Sequence, residues 1–251
     1  MSNKIQDAAI IYQGVSAFDG KPIAAIATGI KRKSKNSKTG AMVQLWIISQ
    51  DLSPYDTSQA SGDASNCGDC KHRHSLGGGC YVDLLKAPNS VYNCYKRGGY
   101  ETINAATLAH LSSLKVRLGA YGDMFAIPYK PLANFLTHIK KRTGYTHAWQ
   151  NLDKRSLKLA RKYFVASVDN YEELIKAQDL ELSTFRVKAP AASNEPITSM
   201  KYRINEIECL NTTHDIECAD CLLCNGRDTD KTRPRNIFID AHGNKLSRFN
   251  V

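Results

Sequence analysis

Apolar residues recur along this chain at two alternating spacings. Met42 to Ile48 is β-branched, aromatic and apolar throughout, the composition of a buried strand, and Ile23 to Ile26 forms a shorter run of the same kind. From Thr102 to Leu114 the apolar positions are Ile103, Ala106, Leu108, Leu111 and Leu114, which is helical spacing. Lys115 to Leu118 then reads as a strand ended by Gly119. Pro131 to Lys141 reads as a helix with proline near its start. The rhythm continues with a strand at Tyr145 to Trp149, a helical segment at Ser156 to Arg161 and a strand at Tyr163 to Val168. A helix follows at Tyr171 to Gln178, capped by Asn170, and then a strand at Thr184 to Val187. Ile204 to Ile207 and Ile237 to Ile239 are further strands.

Strands separated by helical segments imply βα units and a mainly parallel sheet. Right-handed crossovers leave an open sheet or a barrel. The strands are short and end in polar residues, so the expectation is an α/β fold with a complete or partial (β/α) barrel over residues 41–251. Residues 1–40 read as an N-terminal arm.

With 251 residues the chain can bury a core without disulfides. No apolar run reaches membrane-spanning length, and Met1 to Gln6 lacks the design of a signal peptide, so the cytoplasm is the expected location. The formal net charge of +10 favours polyanionic partners, nucleic acid above all. The basic loop carrying Lys31, Arg32, Lys33, Lys35 and Lys38 suits phosphate contacts, although such runs are usually just solvated.

Eight cysteines in a chain expected to lie in a reducing compartment read as metal ligands. Cys209, Cys218, Cys221 and Cys224 follow C-x8-C-x2-C-x2-C, and four thiolates so spaced close a zinc site or hold an iron–sulfur cluster. The other loop spans residues 67–94. Cys67 and Cys70 make a compact half-site there, and Cys80 follows Gly77, Gly78 and Gly79, a run that lets backbone approach a metal closely. Cys94 is the fourth candidate and looks less like a ligand, so this site holds either three thiolates with an open position or four. His72 and His74 are alternative ligands, though histidines in a basic loop are more often merely exposed.

Polar residues gather at the strand ends. Gly119, Gly122 and Asp123 follow one strand, His147 and Asp169 sit at the ends of the next two, and Arg186 lies in another, with Asp240 and His242 at the last. In a parallel βα barrel such ends share the face that holds active sites, which makes Asp123, His147, Asp169 and Arg186 the candidate catalytic residues. No phosphate loop and no nucleophile elbow are visible.

Several motifs together resemble a family of uncharacterised proteins from phages, plasmids and actinobacterial genomes. They are Gly62 to Cys70, Gly79-Cys80-Tyr81-Val82, Arg117 to Asp123, Gly144 to His147, Ala166 to Asp169 and Cys218 to Cys224. That resemblance implies a phage- or plasmid-encoded protein in the host cytoplasm, and it carries no activity. The layout also resembles, more loosely, the radical S-adenosylmethionine enzymes. These have a partial barrel, three cluster-binding cysteines after the first strand, and a glycine–acid motif that meets the cofactor's amino group. The resemblance implies a cluster on Cys67, Cys70 and Cys80, S-adenosylmethionine near Gly119, Gly122 and Asp123, and an auxiliary cluster or zinc site on the later cysteines. The family's spacing is C-x3-C-x2-C, against C-x2-C-x9-C here. Two functions follow as expectations: a radical enzyme acting on a nucleic acid or nucleotide, or a zinc-stabilised nucleic-acid-binding protein without catalysis.

Overall fold

The computed structural model describes residues 4–32, 36, 38–188, 198–199, 204–227, 234–241 and 248. Its strands are β1 (Ala8–Val15), β2 (Pro22–Thr28), β3 (Val43–Ser49), β4 (Lys115–Tyr121), β5 (Lys141–Thr146), β6 (Val165–Val168), β7 (Thr184–Lys188), β8 (Thr198–Ser199), β9 (Ile204–Glu208) and β10 (Asn236–Asp240). The helices are α1 (Pro54–Gln59), α2 (Ala64–Cys67), α3 (Ala87–Lys96), α4 (Ala105–Leu111), α5 (Tyr129–Leu136), α6 (Lys154–Tyr163), α7 (Tyr171–Asp179), α8 (Leu210–His214) and α9 (Cys218–Cys221).

All ten strands join one sheet in the order β1-β2-β3-β4-β5-β6-β7-β10-β9-β8. Pairing is parallel from β3 through β9 and antiparallel at both margins. The expected α/β class with a mainly parallel sheet is therefore present. A complete barrel is not: among the described residues β1 and β8 are edges, and the sheet stays open. The expected N-terminal arm is also different. Residues 8–28 form a hairpin, β1 and β2, whose second strand pairs with β3, so this segment is part of the sheet.

The consecutive order of β3 to β7 has a consequence for layering. Right-handed crossovers between neighbouring parallel strands all return on one face. Accordingly Leu111 of α4, Leu132 and Phe135 of α5, Ala160 and Tyr163 of α6, and Leu174 and Ala177 of α7 share one core with Val43, Leu45, Ile47, Val116, Leu118, Ala166 and Val168. Side chains alternate along a strand, so the intervening residues face the other way, and α4 to α7 do not cover them.

Two cysteine-bearing segments cover that second face instead. Leu84, with Val91 and Tyr92 of α3, packs on Ile48 and Tyr121, and Cys67 joins the same cluster. Cys209, Leu223 and Cys224 pack with Tyr145, Val165, Phe185 and Ile237. Between these two patches Arg117 Nη2 donates to Tyr81 Oη at 2.5 Å.

Local chemistry sets the element ends. Asn104, Asp153 and Asn170 cap α4, α6 and α7 by accepting from the backbone N–H groups of Thr107, Ser156 and Glu173. The strand expected at 145–149 instead spans Lys141–Thr146, because the chain turns sharply at His147 into a 3-10 segment, Ala148–Asn151.

Candidate metal centre

The first cysteine group lies beyond the carboxyl end of β3. Asp123, His147 and Asp169 follow β4, β5 and β6, which run parallel to it, so all of these groups gather at one edge of the sheet. Cys67 ends α2, and the backbone N–H of Asp123 donates to the carbonyl of the preceding residue, Asn66, at 2.7 Å. Gly122 makes this approach possible. Its φ is 81°, and a Cβ there would stand 2.6 Å from Ile47 Cβ and 2.9 Å from Asn66 O.

The long spacing between Cys70 and Cys80 is spanned by a loop that closes on itself. The Cys80 N–H donates to His72 O at 3.1 Å, and the Gly78 N–H donates to Arg73 O at 3.1 Å. A Cβ on Gly78 would lie 2.4 Å from His72 Cα, so the glycine run serves loop closure. Asp63, 2% exposed, pins the same loop: Ser75 donates to it through both N–H and Oγ, and Arg73 stands 3.5 Å away. Asp63 drew no attention in the sequence, because a lone aspartate before a short helix carries no ligand signal.

Burial, first of all, pushes the Cys67 thiol well above its usual range; Cys70, Cys80, Asp63 and Asp123 push it further. Burial likewise raises Cys70 to about 12, with Cys80, Asp169 and Asp123 adding to the rise against a backbone hydrogen bond from His72. The three half-buried thiols therefore stand near one another in an electronegative place. The Asn66 amide and the Tyr121 hydroxyl, both buried, lie beside each other and close to Cys67.

Cys94 does not join this group. It lies on α3 against Tyr100 and Gly99.

In the second group, burial raises Cys224, with Cys218, Cys209 and Cys221 adding to the rise. Burial also raises Cys218, while the cations Arg117 and Lys38 oppose that rise. Lys38, expected at a phosphate, thus stands beside Cys209 and Cys218, and burial lowers its own pKa. Of the other expected phosphate contacts, Arg32 lies 3.4 Å from Asp7, Lys31 is exposed, and Lys33 and Lys35 lie outside the described residues.

The remaining strand-end residues divide. Asp123 Oδ1 accepts from Phe125 N at 3.0 Å, and Oδ2 accepts from Thr146 Oγ1, His147 N and Ala148 N at 2.8, 2.9 and 3.3 Å. Its carboxylate fastens the end of β4 to the turn after β5. Gly119, with φ 79°, has no room for a side chain, since a Cβ would meet Gly122 O at 2.7 Å. His147 and Asp169 do come together, and they do so with His72. His72 Nε2 stands 2.8 Å from Asp169 Oδ1, and the His72 and His147 rings meet edge to face at 5.8 Å. Lys71 Nζ lies 3.1 Å from Asp169 Oδ2. Burial lowers His147 to about 4, leaving a neutral imidazole. Burial would raise Asp169, but His72, His147 and Lys71 outweigh it and hold the carboxyl at about 2.

Arg186 is not at this site, which corrects the sequence reading. Its register partner on β6 is Val168, which belongs to the helix-covered core, so strand alternation turns Arg186 toward that face. There it makes a bidentate pair with Glu206, Nε to Oε1 at 2.9 Å and Nη2 to Oε2 at 2.6 Å. Asp240 pairs with buried Lys188 at 3.1 Å, and His242 lies outside the described residues.

Among the described residues no helix is long and apolar enough to cross a membrane. No family model, no curated protein and no solved structure matches this chain. The resemblances drawn above therefore rest on the quoted motifs alone.

Proposed function

We propose that this chain is an iron–sulfur protein in which Cys67, Cys70 and Cys80 hold a cluster with one iron left open to a further ligand. One observation carries the reading: the Cys67, Cys70 and Cys80 thiols lie close enough at the carboxyl ends of the parallel strands to act on one another electrostatically, with the Asn66 amide and Tyr121 hydroxyl beside Cys67. Hydrogen bonds from such groups to cluster sulfurs are a usual means of setting the potential.

Three thiolates leave one iron of a cubane free for a further ligand, whereas a structural zinc site is closed by four ligands, so a three-cysteine group suits a cluster. The second group, Cys209, Cys218, Cys221 and Cys224, suits an auxiliary cluster, with Lys38 and Arg117 offsetting its charge. The consecutive parallel strands, with α4 to α7 on one face, support a partial barrel.

S-adenosylmethionine is the cofactor the looser resemblance implies, and the residues do not fit it as that resemblance requires. Asp123, which would meet the amino group, already accepts four hydrogen bonds, and Gly119 and Gly122 serve a backbone turn. The cluster would supply electron transfer or Lewis acidity at its open iron, and the +10 charge favours an anionic substrate such as a nucleic acid or nucleotide. The zinc-stabilised nucleic-acid binder is the competing outcome of the test.

The test is electron paramagnetic resonance of the anaerobically reduced protein, with and without an added small ligand. A cluster signal that shifts on addition of a small ligand such as azide supports an open iron. A protein with no cluster signal after reconstitution with iron and sulfide sinks the reading.

A further inference from the structure

His72, His147 and Asp169 come from three separate places, the cysteine loop, the end of β5 and the end of β6. Each is held there by contacts of its own. The carbonyl of His72 accepts from Cys80 N, the N–H of His147 donates to Asp123 Oδ2, and the N–H of Asp169 donates to Glu173 Oε2 at 2.8 Å. One ligand atom from each lies within 4.8 Å of the other two. His72 and Asp169 are 9% and 8% exposed, so the group is shielded rather than a chance meeting of surface side chains.

A hydrogen-bonded His72–Asp169 pair alone would need no second imidazole. Here a second one stands edge-on to the first, at ligand distance from both partners. Asp169 is also prepared for one-oxygen coordination: Lys71 sits on Oδ2, leaving Oδ1 turned to His72. Two imidazoles and one carboxylate form the donor set that first-row divalent ions accept while keeping open positions, whereas thiolate groups select softer ions and clusters.

We propose that His72, His147 and Asp169 form a mononuclear site for a divalent first-row transition ion, separate from both cysteine groups and with positions open to water or an anionic oxygen ligand. On binding, the ion replaces the direct His72–Asp169 contact, and Lys71 remains on the outer oxygen as the group that orients the carboxylate.

The probe is Mn2+ alone, because a nitrogen–oxygen site takes it and thiolates disfavour it. Titration of the full chain, followed by loss of the free Mn2+ resonance, is expected to show roughly one ion bound per chain, as one three-ligand set provides. Spin-echo modulation of the bound ion is expected to show imidazole nitrogen. His147→Gln and Asp169→Asn are each expected to weaken binding at least tenfold, the scale of losing a ligand or its support. The nitrogen signature belongs to the unaltered protein, so the measurement decides even where a variant fails to fold. Absence of bound Mn2+, bound Mn2+ without nitrogen modulation, or affinity unchanged in folded variants overturns the proposal. Iron–sulfur loading of the cysteines is read separately, by absorption, so failure at one site is distinguishable from failure at the other.

Discussion

The backbone N–H of Cys80 donates to the carbonyl of His72 at 3.1 Å, and this contact brings the third cysteine back beside the first two. It also places the His72 ring against Asp169, so one loop closure serves both centres. Gly78 permits it, because a Cβ there would press on His72 Cα at 2.4 Å. Gly78→Ala is therefore expected to lower iron content several-fold and to destabilise the chain by about 1–3 kcal/mol, the range for an overpacked position. Iron assay and urea unfolding of the same preparation check both. Normal iron content in the variant would show that loop closure is not what assembles the site.

Cys94 is expected to be dispensable for metal. It lies on α3 against Tyr100, away from the other thiols. Cys94→Ser should leave iron content and spectrum unchanged, with stability altered by no more than about 0.5 kcal/mol. Cys67→Ser, in contrast, should lose the cluster of the first group.

Arg186 is expected to matter for folding and not for chemistry at the strand ends. Removing it strips the bidentate guanidinium from buried Glu206, since the two side chains are 6% and 0% exposed. Arg186→Ala should cost about 3–5 kcal/mol in urea unfolding. The double variant Arg186→Met, Glu206→Leu should regain most of that, because it removes both charges together. A single variant of normal stability would refute the structural role.

His147 gives a pH dependence to the metal-free protein. Its folded pKa, about 4, lies below the ordinary histidine value of 6.5, so the unfolded chain takes up a proton first as the solution is acidified. This contribution to stability is whole above about pH 6.5 and is lost progressively between there and about pH 4, up to roughly 3 kcal/mol. Asp169 acts lower down: its pKa, about 2, is depressed from 3.8, so its contribution fades as pH falls from about 4 toward 2. Unfolding measured against pH in chelator, for the natural chain and His147→Gln, checks this. The variant should lack the loss between pH 6.5 and 4.

Much of the fold could be read from the sequence where local signals were strong. The capped helix at Asn170, the buried strand at Val43–Ser49 and the later βα alternation rest on composition and periodicity, which act within a few residues. β1 was missed because its polar and glycine positions, Gln13 and Gly14, read as an arm; its pairing with β2 is a property of the hairpin. Arg186 was misplaced for a different reason. Alternation shows that Phe185 and Arg186 face opposite ways, yet only the placement of the crossover helices tells which face is which. His72 reads in the sequence as an alternative ligand in a basic loop, and no local pattern joins it to its partner Asp169, 97 residues away.

The central claim is a cluster on Cys67, Cys70 and Cys80. Its most direct test is iron, zinc and acid-labile sulfide analysis, with an absorption spectrum, on protein purified without oxygen. The natural chain and the Cys67→Ser, Cys70→Ser, Cys80→Ser triple variant should be compared. The expected result is a brown protein absorbing near ~400 nm that loses roughly four irons and an equal amount of sulfide in the variant, as a thiolate-held cubane requires. A colourless protein holding about two zinc ions, one of them lost in the variant, would contradict the account and make both cysteine groups structural zinc sites.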